Sequence, residues 1–399
     1  MTEQRQVEFV RDINATPEAV YRALTHPLEL PYWFCHYAWT EPKPGGEFLV
    51  RWRNGWWARG LYESVEKPRR VAFTWQGKDE PGETTAVFEV EPLDQGARVK
   101  VTHGGYGDEA VWDKAVYEAE KSWPMALENL ESVLTTGIDL REANRPMLGI
   151  VPEELTVERA AKEDIATESG IYLNSVLENG GAAAAGLQKG DVITSLGGMA
   201  VTDFDSLTTT LASYRAGDRV QVGYVRGRQR GNVMLELKAR AMPEFPSDPQ
   251  QMAEQVRQEQ KPLFSEYREL LAGVSEELAA RKPAPDEWSA KETLAHLVVG
   301  ERFTQRFLVD VIAGATQGQF GDVNAVTEVN AMVFSLAPTV DALLALWEQE
   351  CESTLTLFGA LRPEVVAMKA RYRQMATALT FWGFHTRDHL SQIRAALKA

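Results

Sequence analysis

Phe384-His385-Thr386-Arg387-Asp388-His389-Leu390 sets the period of the C-terminal part of the chain. Its two histidines are four residues apart, a spacing that in a helix puts both imidazoles on one face, close enough to share a ligand. Trp382, His385, His389 and Ile393 follow one stripe, so the histidines share the apolar, inward side. The chain has six histidines, and a third, His296, lies in another long helical pattern, in line with Gly300, Phe303 and Phe307. Gly300 leaves space one turn from it. Buried imidazoles need partners for their nitrogens. One divalent cation satisfies all three together; the other reading is three core histidines bonded to carboxylates or to each other. Gln392 is placed to reach back one turn and orient a ligand. Cys351 follows the stripe of Trp347 and reads as core rather than as a fourth ligand. Arg387 and Asp388 point elsewhere and read as a solvated face.

The same helical period extends upstream. Met252 to Leu271 is a first long pattern, interrupted by Pro262, which predicts a kink or a late start. Ser289-Ala290-Lys291-Glu292 is a capping box opening a second helix to about Val311. A third runs from Thr339 through Leu343, Trp347, Cys351 and Phe358, and a fourth from about Gln374 to Leu397. Four long helices with an extended connection between the second and third predict an all-α four-helix bundle over residues 250–399. Ala241 to Pro249 carries three prolines and reads as a stiff linker that isolates this bundle.

Glu287-Trp288-Ser289 followed by Leu294-Ala295-His296-Leu297, together with His385-Thr386-Arg387-Asp388-His389-Leu390-Ser391-Gln392-Ile393, resembles the DinB-like superfamily. The resemblance implies a divalent metal held by one histidine of the second helix and two of the last, the positions of His296, His385 and His389. Three neutral imidazoles leave coordination positions open, the catalytic rather than the structural pattern. Zn²⁺, Ni²⁺ or Fe²⁺ in such a site lowers the pKa of a bound water or thiol and polarises a carbonyl. Some DinB-like proteins are similar to transferases or isomerases that use a low-molecular-weight thiol, and others have no known activity.

The N-terminal part has a different period. Eight of the eleven tryptophans lie before residue 124. Thr16-Pro17 opens a helix through Leu24. Alternating, strand-like runs follow at residues 46–52, 57–62, 70–75, 85–90 and 97–102, separated by turn residues, and Lys114 to Leu134 reads as a long helix. Strand, helix, antiparallel strands, long helix is the order of an α+β helix-grip fold over residues 1–140. Ile13-Asn14-Ala15-Thr16-Pro17-Glu18-Ala19-Val20-Tyr21, Pro44-Gly45-Gly46-Glu47-Phe48, Pro68 to Trp75 and Trp123 to Leu134 resemble the SRPBCC (START-like) superfamily. Within it they are most similar to homologues of the heat-shock-chaperone ATPase activator. The resemblance implies a cavity for a small hydrophobic ligand, with Trp52, Trp57 and Trp75 as candidate lining; the alternative is that these rings fill the core.

In the middle, over residues 145–240, tryptophan disappears and Gly and Ala rise. Strands are expected at 169–176 and 190–196, a short helix at 181–187, a turn at Gly197-Gly198 and a helix from Phe204 to Tyr214. A final hairpin is expected around residues 226–231. The run Ala185 to Ile193 resembles PDZ domains of the bacterial HtrA-associated kind. Leu148-Gly149-Ile150 matches the loop that in that family holds a peptide's terminal carboxylate. Pro152 has no N–H to offer an added strand, and Glu153 and Glu154 repel a carboxylate. C-terminal peptide capture and intramolecular docking both remain open. No Ser/His/Asp arrangement accompanies this segment, which argues against a protease.

The chain of 399 residues is 44% apolar and 25% charged, with a formal net charge of −15. That balance fits a globular chain and disfavours nucleic acid or an anionic membrane as partner. No apolar run is long enough for a membrane span. The polar start and two distant cysteines, Cys35 and Cys351, favour the reducing cytoplasm, so a cytoplasmic location is expected. Two functions are expected: a metal-dependent transferase or hydrolase acting on a small electrophile with a thiol cosubstrate, or a non-catalytic, stress-related ligand-binding adaptor.

Overall fold

The computed structural model describes residues 5–240, 242–284, 287–314 and 327–398, with backbone alone for 327 and 381–384. The side chain of Trp382, placed on the histidine stripe above, lies outside the described residues. Residues 1–138 and 244–399 form one compact unit, and residues 139–243 form a second.

In the N-terminal segment the elements are β1 (Arg5–Ile13), α1 (Pro17–Thr25), β2 (Tyr37–Thr40), β3 (Glu47–Arg51), β4 (Trp57–Glu66), β5 (Arg70–Gly77), β6 (Thr84–Pro92), β7 (Ala97–Tyr106) and α2 (Asp113–Thr136). Thr16 caps α1 by accepting the Ala19 N–H, an interaction worth about 1 kcal/mol in such helices. The strands make one antiparallel sheet in the order β1-β7-β6-β5-β4-β3-β2. Alternation along β6 and β7 turns Ala86, Phe88, Val90, Val99 and Val101 inward, where they pack with Trp123, Leu127 and Leu130 of α2. This is the helix-grip arrangement. The short β2 carries only four residues and gave no run long enough to be read from the sequence.

The middle segment contains α3 (Leu140–Ala143), β8 (Pro146–Met147), β9 (Ile150–Glu154), α4 (Val157–Lys162), β10 (Ile171–Val176), α5 (Gly181–Ala184), β11 (Asp191–Leu196), β12 (Met199–Ala200), α6 (Phe204–Leu211), β13 (Arg219–Arg226), β14 (Gln229–Glu236) and β15 (Lys238–Ala239). The main sheet runs β14-β13-β11-β10-β9, with β12 paired to β11 and β9 at the end. The last hairpin is tighter than expected. Arg226 pairs with Gln229, and Gly227 takes φ +56, so the strands extend through residues assigned to the loop.

The C-terminal segment is helical: α7 (Pro249–Leu271), α8 (Glu276–Ala280), α9 (Ala290–Ala313), α10 (Thr327–Leu336), α11 (Val340–Gly359), α12 (Pro363–Val366) and α13 (Lys369–Ala396). The four long ones, α7, α9, α11 and α13, make the bundle. Helix α7 starts earlier than expected, at an Asp248 cap with Pro249 in the first turn, and continues through Pro262. The connection between α9 and α11 is not simply extended, because α10 lies in its described part. The expected isolating linker is also corrected. Phe245 packs against the lower bundle core, and Tyr372 Oη donates to the Pro246 carbonyl at 2.6 Å. The bundle belongs to the same compact unit as the helix-grip segment.

Candidate metal centre

The Ser289–Glu292 capping box fixes the start of α9, each side chain accepting the other's backbone N–H. From that start, Thr293, Leu294, Leu297, Gly300 and Glu301 are buried, and His296 lies half-buried among them. On α13, Leu390 and Ile393 are buried and pull His385 and His389 toward α9. His385 Nε2 lies 3.2 Å from His296 Nε2 and 3.0 Å from His389 Nε2. One ligand atom from each residue lies within 4.8 Å of both others, and no carboxylate or thiol joins this set among the described residues.

The donors fit a cation better than they fit one another. Gln392 Oε1 sits 2.8 Å from His389 Nδ1 and accepts its proton, which leaves Nε2 of His389 as a lone pair. His385 Nε2 carries either one proton or one lone pair, so it cannot bond well to both neighbours. Four ligands at the usual 2.0–2.1 Å zinc–nitrogen distance would be spaced about 3.3 Å apart, close to the separations seen. The charge state also suits. Burial first, then His389 and His385, push the pKa of His296 down to about 4. Burial and His389 lower that of His385, against a smaller opposing pull from Asp388. Neutral imidazoles at pH 7 have the lone pairs a metal needs.

Trp288, just before the α9 cap, lays its indole over the cluster: its ring is stacked on His389 at 6.2 Å and tilted 46° to His296 at 4.9 Å. The sequence placed Trp288 in a motif but gave it no role. Glu301 was also missed. It is 5% exposed, and it lines a small cavity with Leu263, Phe264, Leu297, Trp347 and Cys351. The available signal was an acid directly following the continuous apolar run from Leu297 to Gly300. Cys351 is buried beside Glu301, away from the imidazoles, as expected of a core residue. Arg387 and Asp388 are exposed.

The other candidate residues separate. Trp75 is 4% exposed in the helix-grip core, and Trp52 packs against that core. Phe34 lies between them, 5.3 Å from Trp52, 6.3 Å from Trp75 and stacked on Trp123 at 5.6 Å. Trp57 does not join: strand alternation buries Ala58 and leaves Trp57 on the opposite face with Arg59, whose guanidinium lies 5.5 Å from its ring. Among these rings His103 is buried and neutral, its pKa pushed down to about 3 by burial. It accepts from Trp123 Nε1 at 3.1 Å, so its Nε2 donates to Thr84 Oγ1 at 2.8 Å. In the middle segment Leu148 is buried and Ile150 begins β9. Gly149 has φ +80, and a Cβ there would come 2.5 Å from Gly180 Cα. The two acids after the loop are engaged: Glu153 with Arg159 and Asn174, Glu154 with the Phe204 N–H.

Residues 14–135 match the family model for "Activator of Hsp90 ATPase homolog 1-like protein", residues 137–237 that for the PDZ domain, and residues 263–393 that for the DinB superfamily. The chain carries all three domains. The DinB superfamily is a metal-binding family, and the three histidines lie within the residues matched. Over the PDZ domain the chain is similar to the periplasmic serine endoprotease DegP of Escherichia coli K12, 33% identical over 112 residues. That match covers 28% of this chain and 23% of DegP. The serine protease Do-like HtrA of Lactobacillus helveticus is 35% identical over 101 residues, covering 24% of each chain. The chain thus spans about a quarter of the curated relatives it matches. Similar solved structures include protein MLL2253 from Mesorhizobium loti, 25% identical, covering 33% of this chain and 96% of that one, with a TM-score of 0.31. Another is the Aha1 dimer from Colwellia psychrerythraea, 19% identical, covering 32% and 95%, with a TM-score of 0.29. Among the described residues no single helix is long and apolar enough to cross a membrane.

Proposed function

We propose that His296, His385 and His389 hold one divalent ion, Zn²⁺, Ni²⁺ or Fe²⁺, and that the DinB domain uses it as a transferase or hydrolase for a small electrophile. The observation that carries this reading is the convergence of three Nε2 atoms, two of them 3.0 and 3.2 Å from the third, with His389 held by Gln392 in the tautomer that ligates through Nε2. When bound, such an ion supplies Lewis acidity at its open positions and favours the thiolate form of a low-molecular-weight thiol cosubstrate. The protein's own contribution is placement. Gln392 fixes the His389 ring, and Trp288 covers one side of the cluster.

Two measurements test this together: metal content of protein purified without a histidine tag, and thiol-dependent turnover of a small electrophile. Stoichiometric metal with turnover supports the enzyme. Metal without turnover, or none, favours the second reading, a cytoplasmic stress-related adaptor whose PDZ domain takes a C-terminal peptide and whose helix-grip domain takes a hydrophobic ligand. The feature favouring that reading is β9, which pairs with β10 on one side and ends the sheet on the other, ready for an added strand.

A further inference from the structure

Three elements of the compact unit meet at Arg371, a buried residue in the first turn of α13. Its Nη1 donates to the carbonyl of Val311, in the last turn of α9, at 3.3 Å. Its Nη2 lies 2.9 Å from Glu29 Oε1, and the two side chains are 8% and 9% exposed. That approach lacks hydrogen-bond alignment, so charge holds the pair. Glu29 belongs to the helix-grip domain, in the loop after α1. Three residues on, Tyr32 Oη donates to Gln374 Oε1 of α13 at 2.7 Å. Helix α2 ends nearby at Gly137, where a Cβ would stand 2.5 Å from the Lys369 carbonyl. Only glycine, already at φ +75, lets the two helices approach this closely.

The same loop faces the other way too. Leu30, Trp33 and Phe34 enter the aromatic core, where Phe34 touches Trp52, Trp75 and Trp123. Helices α9 and α13 are therefore clamped to each other twice. The imidazole cluster holds them at one end, and Arg371 with Val311 holds them at the other. Fourteen residues separate Arg371 from His385, about 21 Å of helix. Two clamps on one pair of rigid helices fix one register, so tightening either lowers the freedom left for the other to remove.

We propose that residues 26–35 are a strap through which the helix-grip domain sets the register of α9 against α13, so that ion binding at the three histidines and ordering of the strap reinforce each other. The coupling rests on the metal reading for its ion and goes beyond it in assigning the helix-grip domain a role at the metal centre. By reciprocity, loosening the strap weakens the ion by the same factor that the ion orders the strap.

The test uses the full chain, stripped of metal, with Zn²⁺ alone as probe. Hydrogen exchange is followed over residues 26–35, and zinc affinity is measured by competition with a chromophoric chelator. Zinc is expected to slow exchange across 26–35 by about 5-fold or more, the lower end of usual couplings. The double variant Glu29→Leu, Arg371→Met removes both charges, so neither is left buried alone. It should abolish that slowing and weaken zinc by about the same factor. Tyr32→Phe, which removes only the hydroxyl on Gln374, should weaken zinc measurably and serves if the double variant does not fold. Zinc bound by the wild type with unchanged exchange over 26–35 overturns the coupling, as does unaltered zinc affinity in a folded variant. Zinc that fails to bind the wild type overturns the metal reading instead, and the coupling falls with it.

Discussion

Replacing Glu301 by Gln should stabilise the DinB bundle at neutral and alkaline pH and do nothing in acid. Glu301 is buried on α9 among Leu263, Phe264, Leu297 and Trp347. Burial raises its pKa most, the Glu350 carboxylate adds to the rise, and Cys351 and Thr354 only partly oppose it. The carboxyl is pushed up to about 7. In the unfolded chain it titrates near 4.5. Between these values the folded state holds a proton that the unfolded state has lost. Folding is therefore penalised progressively as pH rises from about 4.5 to about 7, and the penalty is constant above that. At 1.36 kcal/mol per tenfold change it reaches about 3 kcal/mol. Glutamine has the same shape, can still hydrogen-bond and never ionises, so the variant gains up to about that amount at pH 8. The assay is denaturant unfolding of metal-free wild type and Glu301→Gln from pH 4 to pH 8, followed by hydrogen exchange in α9 and α11. Other titrating groups cancel in the difference. A difference that stays flat across pH, or a variant less stable than wild type at pH 8, would refute the reasoning.

The double variant His385→Ala, His389→Ala should lose stoichiometric metal while keeping the far-ultraviolet circular dichroism of the bundle, whose apolar stripes remain; full occupancy by metal analysis would end the site. Zinc occupancy should fall as the pH is lowered and be gone below about pH 4, where His296, held neutral by burial down to about 4, takes up a proton and loses its lone pair; occupancy unchanged well below pH 4 would contradict this. Gln392→Leu removes the acceptor on His389 Nδ1 and should weaken zinc by about 10–100-fold, measured by chelator competition. In the PDZ domain, amidating a peptide with an apolar C-terminal residue should abolish its binding in a fluorescence-anisotropy titration; equal affinity would exclude carboxylate recognition at Leu148-Gly149-Ile150.

Local sequence determined what local physics governs. Thr16-Pro17, the Ser289–Glu292 box and the spacing of His385 and His389 each act within one turn of helix, so start, face and candidate ligands were legible from neighbours alone. The three domains were legible for the same reason, since strand alternation and helical stripes record which face is buried. Trp57 was not, because a tryptophan run at a strand start does not say which ring faces inward; the pairing of Arg51 with Trp57 and Val50 with Ala58 decides that. Nor was the role of the linker. Three prolines fix backbone angles but not what Phe245 packs against. Arg371 and Glu29 lie more than three hundred residues apart, and an isolated acid and an isolated base in sequence read as surface. Only the meeting of α9, α13 and the loop after α1 buries them together and places a charge pair at the far end of the helices that carry the histidines. Tertiary packing sets the two charges side by side because burying either one alone would cost more than burying them as a pair.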